Sequence, residues 1–504
     1  MPRFAVVVPA RRRRTTPSPG ARARARPLAS ALVALTLLTG ATACTTTGGG
    51  SGAPGGSGLG DPYFPESGNG GYDVRHYALD LAYVPADRRL TGRALITARA
   101  AKRLSAFDLD LQGLAVETVE VDGKKARWQR QGQELTVSVS APIGKGADFR
   151  VAVRYAGNPE TVTDPDGSKE GWLPTADGAL ALGQPVGSMA WFPGNHHPSD
   201  KATYDIAVTV PEGLAAVSNG EPVAERTSGG RTTFTWRTGA PMASYLATVA
   251  IGRFEVSRTV TEDGLALHTA VDPSEAEASR EVLGRIPEVL EWSGERFGPY
   301  PFSSAGAIVD KADGLGYALE TQNRPVFPGA PTARLLVHEI AHQWYGNSVS
   351  PRTWRDMWLN EGFATYAEWM WEEDEGGLSA EETFDALYSG TYYDDPGENA
   401  AVWSFPPGDP PDAAHISGQP VYDRAAMVLH RLRAVLGERA FTALLRDWPA
   451  THRHDNASTE DFMAYVEALA TEKKEKREKT GKKVREVRGV WKDWLFGKKK
   501  PPRP

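Results

Sequence analysis

Two histidines and two glutamates define the chemistry open to this chain. His338, Glu339 and His342 lie in the string HEIAH, and Glu361 follows nineteen positions later in WLNEGFATYAE. Positions four apart share one face of a helix, so both imidazoles can bind the same ion. A second helix brings Glu361 as a third ligand. Two His and one carboxylate leave the fourth position of a Zn2+ ion open to water, as in catalytic rather than structural sites. Such an ion, expected once per chain, polarises a carbonyl and lowers the pKa of water toward ~7. Glu339 is then the base that takes the water proton and hands it to a leaving amine. The flanking Leu335, Leu336, Val337, Ile340 and Ala341 are apolar. They predict a buried helix, in which paired histidines need partners. Glu368, seven residues after Glu361, either orients a zinc imidazole or is a surface charge. Alone, these residues specify metal-assisted hydrolysis.

Four separate strings narrow the choice: HEIAHQWYGN at 338–347, WLNEGFATY at 358–366, FGPYPF at 297–302 and NHHPSDKATYDIAVTVP at 195–211. Together they resemble the aminopeptidase N family of gluzincin zinc metallopeptidases, which includes the leukotriene hydrolases. The resemblance runs from about residue 70 to 470. It implies a multidomain α+β fold, with a saddle-like antiparallel β domain followed by a mainly α, thermolysin-like catalytic domain. It further implies that Glu320, in YALETQNRP, stands where the family's carboxylate binds the free α-amine of a peptide. A carboxylate at a fixed distance from the metal selects one-residue release. Tyr317 and Thr321 replace the family's Gly and Asn in this motif, which leaves the shape of the first pocket open. Gln184 falls where the family places a second Glu or Gln near the amine or first side chain. Tyr422, in VYDRAAMVLHRLR, falls where the family's tyrosine donates to the tetrahedral oxyanion. About 30 residues follow 471, so the family's large C-terminal helical domain is expected to be missing.

The elements that must position these groups are legible from periodicity. Tyr77, Leu79, Leu81 and Tyr83 alternate with smaller or polar residues, as do Leu135, Val137 and Val139, and Ile206, Val208 and Val210. Residues 62–257 are therefore expected to form the β domain. Helical spacing takes over after residue 258: over Ser274–Phe297, Leu335–Tyr345, Trp358–Trp371 and Arg424–Leu436, with an N-cap at Ser458 and Thr459. The catalytic domain is assigned to 258–470, and 471–504 reads as a basic tail. That tail either meets an anionic bilayer or packs its Trp/Phe end on the body.

The formal charge of −6 conceals an asymmetry. Residues 1–43 carry 8 Arg and no acid, and residues 471–504 carry 14 Lys and Arg against 5 acids. Residues 44–470 hold 35 basic and 58 acidic side chains, a net of −23, which disfavours a nucleic-acid partner. Residues 1–43 read as an export signal: a basic start, an apolar stretch over Leu28–Leu38 too short to span a bilayer, then small residues before Cys44. Cys44, the only cysteine, matches the acylated position of a bacterial lipobox, although an ordinary secretory signal remains open. Residues 44–61 are expected to be a flexible Gly/Ser/Thr-rich tether. The expected protein is an extracytoplasmic, membrane-anchored aminopeptidase acting on peptides with a free N-terminus. The alternatives are a gluzincin endopeptidase or non-peptide hydrolase, and an inactive cell-surface binding lipoprotein.

Overall fold

The computed structural model of the chain describes residues 52–312, 314–471 and 477–503. The export signal, Cys44 and the first part of the tether lie outside the described residues. Alternation along the strands becomes burial in register. In Lys201–Pro211 every second side chain is buried, and the neighbouring strand Tyr72–Val84 buries Tyr77, Leu79, Leu81 and Tyr83. These two strands pair in parallel at the centre of an eight-stranded, otherwise antiparallel sheet. A four-stranded, a five-stranded and a two-stranded sheet complete the β half.

The second half opens with its own four-stranded sheet, ordered Glu255–Val260, Ala266–Val271, Ser304–Val309 and Val326–Phe327. A boundary drawn at 257/258 falls inside a strand; the chain passes from one sheet to the other between Gly252 and Glu255. Sequence periodicity cannot see this, because the strand is exposed throughout and its sheet partner is not written in its own residues. The helix expected over Ser274–Phe297 is two helices, Ala276–Leu283 and Ile286–Phe297. Pro287 sits in the first turn of the second, where its missing N–H costs nothing; within one continuous helix it would break the ladder.

Helix Ala333–Ala341 carries HEIA and is capped by the Thr332 hydroxyl, which accepts from Leu335 N at 3.1 Å. Helix Trp358–Asp374 packs against it and against Ala425–Leu436. Gly362 permits the second contact, since a Cβ there would lie 2.7 Å from Ala425 Cβ. One residue from Glu361, the two helices thus meet nearly backbone to backbone. Ser458 caps Thr459–Leu469 in a capping box with Asp461, as its sequence signature predicts.

Of the two terminal segments, the first departs from its sequence reading, whereas the tail takes one of the two readings open to it, with its Trp/Phe end packed on the body. Residues 52–61 form structure rather than a tether: Ala53 N donates to Arg103 O at 3.0 Å and Gly55 N to Ala106 O at 2.8 Å. A Cβ on Gly55 would approach Gly70 O to 2.9 Å, so glycine here allows close backbone contact. Composition alone does not distinguish that use from flexibility. Asp61 is buried and accepts from the Tyr63, Phe64 and Trp354 amides. The tail contains helix Arg477–Val490 and a π-type turn at Trp491–Leu495. Trp494 packs on Phe384 and Trp403, with ring centroids at 5.4 and 6.1 Å. The buried Arg424 guanidinium donates to the carbonyls of Phe405, Asp493, Trp494 and Gly497. The tail's aromatic end is part of the catalytic half. Among the described residues no helix is long and apolar enough to cross a membrane.

Trp494 is 5 % exposed. Trp494→Ala should therefore lower unfolding free energy by about 3–5 kcal/mol in denaturant titration. A change under about 1 kcal/mol would mean the tail is dispensable.

Candidate metal and substrate site

His338 and His342 lie one turn apart, with Nε2 atoms 3.1 Å from each other and each 3.3 Å from Glu361 Oε2. The far nitrogens are fixed. His338 Nδ1 donates to Glu368 Oε1 at 2.6 Å, and His342 Nδ1 donates to Tyr345 O at 3.0 Å. Those partners place both protons on Nδ1 in the neutral rings and turn both Nε2 lone pairs into the site. Glu368 is itself held by an ion pair with Arg334. Of the two readings open from sequence, Glu368 is thus the residue that orients an imidazole.

Three acceptor atoms converge here in a nearly dry environment, with His338, His342 and Glu361 respectively 7 %, 1 % and 2 % exposed. Such crowding needs positive charge at the centre, either protons on the imidazoles or a metal ion in their place. Ligand atoms at about 2.0–2.2 Å from a tetrahedral zinc ion would stand about 3.3–3.6 Å apart, close to the observed spacing. The donor set therefore fits one zinc ion held by His338, His342 and Glu361. Glu320, Glu339 and His342 form a second overlapping group whose donor atoms lie within 4.8 Å of one another.

The electrostatics agree with a site built for added positive charge. Burial works against the Glu361 anion, yet His342 and His338 hold its carboxyl down to about 2. Burial raises Glu339 to about 8, opposed by the two imidazoles and reinforced by Glu320 and Glu361. Burial also raises Glu320, with His342 opposing and Glu361 adding to the shift. One oxygen each of Glu320 and Glu339 is buried without a hydrogen-bond partner. Such orphaned acceptors in a low-dielectric pocket call for a ligand that brings donors.

Tyr422 belongs to a π-type turn, Pro420–Arg424, directly before helix Ala425–Leu436. Its ring lies nearly parallel to His338, with centroids 6.1 Å apart. Burial, followed by the charges of Glu361, Glu320 and Glu339, pushes the phenol well above its ordinary pKa. It therefore stays protonated and can donate. Gln184 follows strand Ala179–Leu182, and its side-chain oxygen is buried without a partner. No hydrogen bond joins it to Glu320, so it is the sequence-predicted residue least tied to the rest.

Several residues near the site carry no role in the sequence reading. Gln343 and Asn347 both donate to the Glu320 carbonyl. Lys201 Nζ donates to Asn347 O, Ser348 O and Asp455 O at 2.8, 2.9 and 3.2 Å. Burial lowers this lysine to about 7. All three lie inside the strings HEIAHQWYGN and NHHPSDKATYDIAVTVP, which held the signal without saying what each letter does.

The fold and site together define a metallopeptidase architecture, and comparison with known families agrees. A model described as the peptidase M1 N-terminal domain matches residues 74–246, and one described as the peptidase family M1 domain matches residues 320–494. The chain belongs to peptidase family M1. It is 29% identical to an M1 zinc metallopeptidase from Deinococcus radiodurans, solved as a Glu-to-Ala mutant bound to a Tyr-Ser-Ala substrate. The two superpose with a TM-score of 0.79 over 89% of this chain and 99% of that one. A two-domain M1 zinc metallopeptidase mutant bound to L-arginine matches at 28% identity and a TM-score of 0.78, over 89% and 99% of the two chains. Aminopeptidase M1 of Arabidopsis thaliana is 28% identical over 318 residues, 58% of this chain and 35% of that protein. The puromycin-sensitive aminopeptidase of Caenorhabditis elegans is 32% identical over 196 residues, 36% and 21% of the two chains. The chain spans about a third of the first of these curated relatives and a fifth of the second.

Glu368→Ala should weaken zinc binding about 10–100-fold, because His338 loses the acceptor that fixes its tautomer. Competition with a chromogenic chelator measures this, and unchanged affinity would mean that Glu368 does not orient the ligand.

Proposed function

We propose that the protein is a zinc-dependent aminopeptidase that hydrolyses the first peptide bond of peptides with a free N-terminus. The observation that carries this reading is the buried, unpartnered oxygen of Glu320, in a group with Glu339 and His342 whose donor atoms lie within 4.8 Å of one another. A substrate ammonium supplies the donor that Glu320 lacks. Its fixed offset from the metal ligands then places the first carbonyl, and no later one, at the reacting centre.

A zinc ion bound by His338, His342 and Glu361 would supply Lewis-acid polarisation of the scissile carbonyl and acidify water. Glu339 takes the proton of the attacking water and returns it to the departing amine. It is buried beside both histidine ligands, with one carboxylate oxygen free to take that proton. Tyr422 donates its phenolic proton as a hydrogen bond to the carbonyl oxygen as negative charge grows there. Gln184 is assigned to the first side chain or the amine, where its free amide oxygen would find a donor. The two M1 zinc metallopeptidase mutants with bound Tyr-Ser-Ala and L-arginine support an amino-terminal substrate class. The basic and apolar segments of residues 1–43, followed by Cys44, support an extracytoplasmic location with a lipid anchor.

A free-amine peptide and its N-acetylated form separate this reading from an endopeptidase or a non-peptide hydrolase. The account expects the acetylated form to be cleaved at least about 100-fold more slowly, and equal rates would contradict it. Glu339→Gln should lower kcat by about 10²–10⁴-fold while the protein keeps one zinc per chain. A metal-free, inactive wild type would instead favour a binding protein on a peptidase scaffold.

A further inference from the structure

Glu320 lies close to two other buried carboxylates, Glu339 and Glu361, yet its own carboxylate has an unpartnered oxygen. Repulsion favours its withdrawal, so something other than its side-chain contacts must hold it in place. The restraint is on its main chain. Asn347 Nδ2 donates to the Glu320 carbonyl at 2.6 Å, and Gln343 Nε2 to the same oxygen at 3.4 Å. Gln343 Oε1 accepts from Asn323 N at 2.9 Å, so one amide grips both ends of the turn that carries Glu320. Both residues are buried, at 1 % and 0 % exposure.

These two amides are rigidly connected to the metal ligands. Gln343 follows His342 directly, and Asn347 N donates to His342 O at 3.0 Å. Gly346, at φ 122°, brings the chain close enough to His342 that a Cβ would lie 3.3 Å from its Nδ1. Lys201 holds the carbonyls of Asn347 and Ser348 from the β half. On the opposite side, Asn219 Nδ2 donates to Gln322 O at 2.8 Å, and Gly220 N donates to Asn323 Oδ1 at 3.0 Å. The turn 320–324 is therefore clamped between the metal helix and the β half.

We propose that Gln343 and Asn347 are positioning residues that set the offset between the amine-binding Glu320 and the metal ligands, and thereby confine cleavage to the first residue. This rests on the aminopeptidase reading above. A displacement of about 1 Å in such an offset is enough to lose about 100-fold in rate. Neither side chain needs to touch substrate.

The test uses Gln343→Met, which keeps the volume and loses both polar atoms, and Asn347→Ala, each alone and combined with Glu320→Ala in the zinc-loaded protein. Leucine p-nitroanilide is the substrate. Leucinamide is the amine-bearing competitor, and acetohydroxamate is a metal-directed competitor without an amine. Each single variant should lower kcat/KM and weaken leucinamide by about 10–100-fold, with acetohydroxamate affinity changed less than about twofold. Added to Glu320→Ala, either substitution should change kcat/KM by less than about threefold, because the group it positions is gone. Penalties that multiply in the double variants, or equal weakening of both competitors, would overturn the proposal and leave a general structural role. If Gln343→Met does not fold, the Asn347→Ala cycle decides by the same criteria. If wild type binds leucinamide no better than N-acetyl-leucinamide, the aminopeptidase reading fails. If wild type discriminates and both variants do so equally, only the positioning proposal fails.

Discussion

Three acceptor atoms, one from each of His338, His342 and Glu361, are forced within 3.1–3.3 Å of one another in the interior. Lone pairs brought this close in a low-dielectric environment are tolerable only with positive charge between them. Much of the catalytic half serves that requirement. Two helices carry the ligands, Glu368 and the Tyr345 carbonyl set the tautomers, and Gly362 lets a third helix approach. The same demand explains why Glu320 and Glu339 can remain nearby with oxygens unpartnered. A divalent cation would offset the carboxylates, and in the proposed reaction the substrate and water would supply the missing donors.

The β half is more than a platform. Lys201, on its central strand, donates to the loop after the metal helix, and Asn219 and Gly220 hold the turn that presents Glu320. Arg324 in that turn reaches back to Ser218 O at 2.6 Å and lies over Trp236. The metal ligands and Glu320, the carboxylate proposed to bind the amine, come from different parts of the chain, so their separation depends on how these parts pack. On the far side, Arg424 ties the turn carrying Tyr422 to four carbonyls, three of them in the C-terminal segment. Remote segments thus bear on the geometry of a few side chains.

Much of this was legible in the sequence because it follows from local rules. Spacing of four within HEIAH, apolar flanks, strand alternation and the Ser458 cap all act within one element. What was hidden depends on contacts between elements. The glycines of residues 52–61 read as a tether because composition does not record the neighbouring backbone against which they lie. For the tail, charge pattern left a bilayer contact and packing on the body both open, and only the contacts of Trp491 with Phe462 and of Trp494 with Phe384 decide for packing. The strand Glu255–Val260, exposed along its whole length, pairs with the sheet of the catalytic half, a partnership its own residues do not encode. Gln343 and Asn347 sat inside a recognised string, but their partner, Glu320, lies more than twenty residues away.

The account stands on the claim that Glu320 receives a peptide's terminal amine while the adjacent carbonyl meets the metal site. The most direct measurement is a crystal structure of zinc-loaded Glu339→Gln protein with an unblocked tripeptide. It should show the terminal nitrogen about 2.7–3.0 Å from the Glu320 carboxylate, with the first carbonyl between the ion and the Tyr422 hydroxyl. A peptide running past Glu320, with residues on both sides of the metal and its amine in solvent, would contradict it.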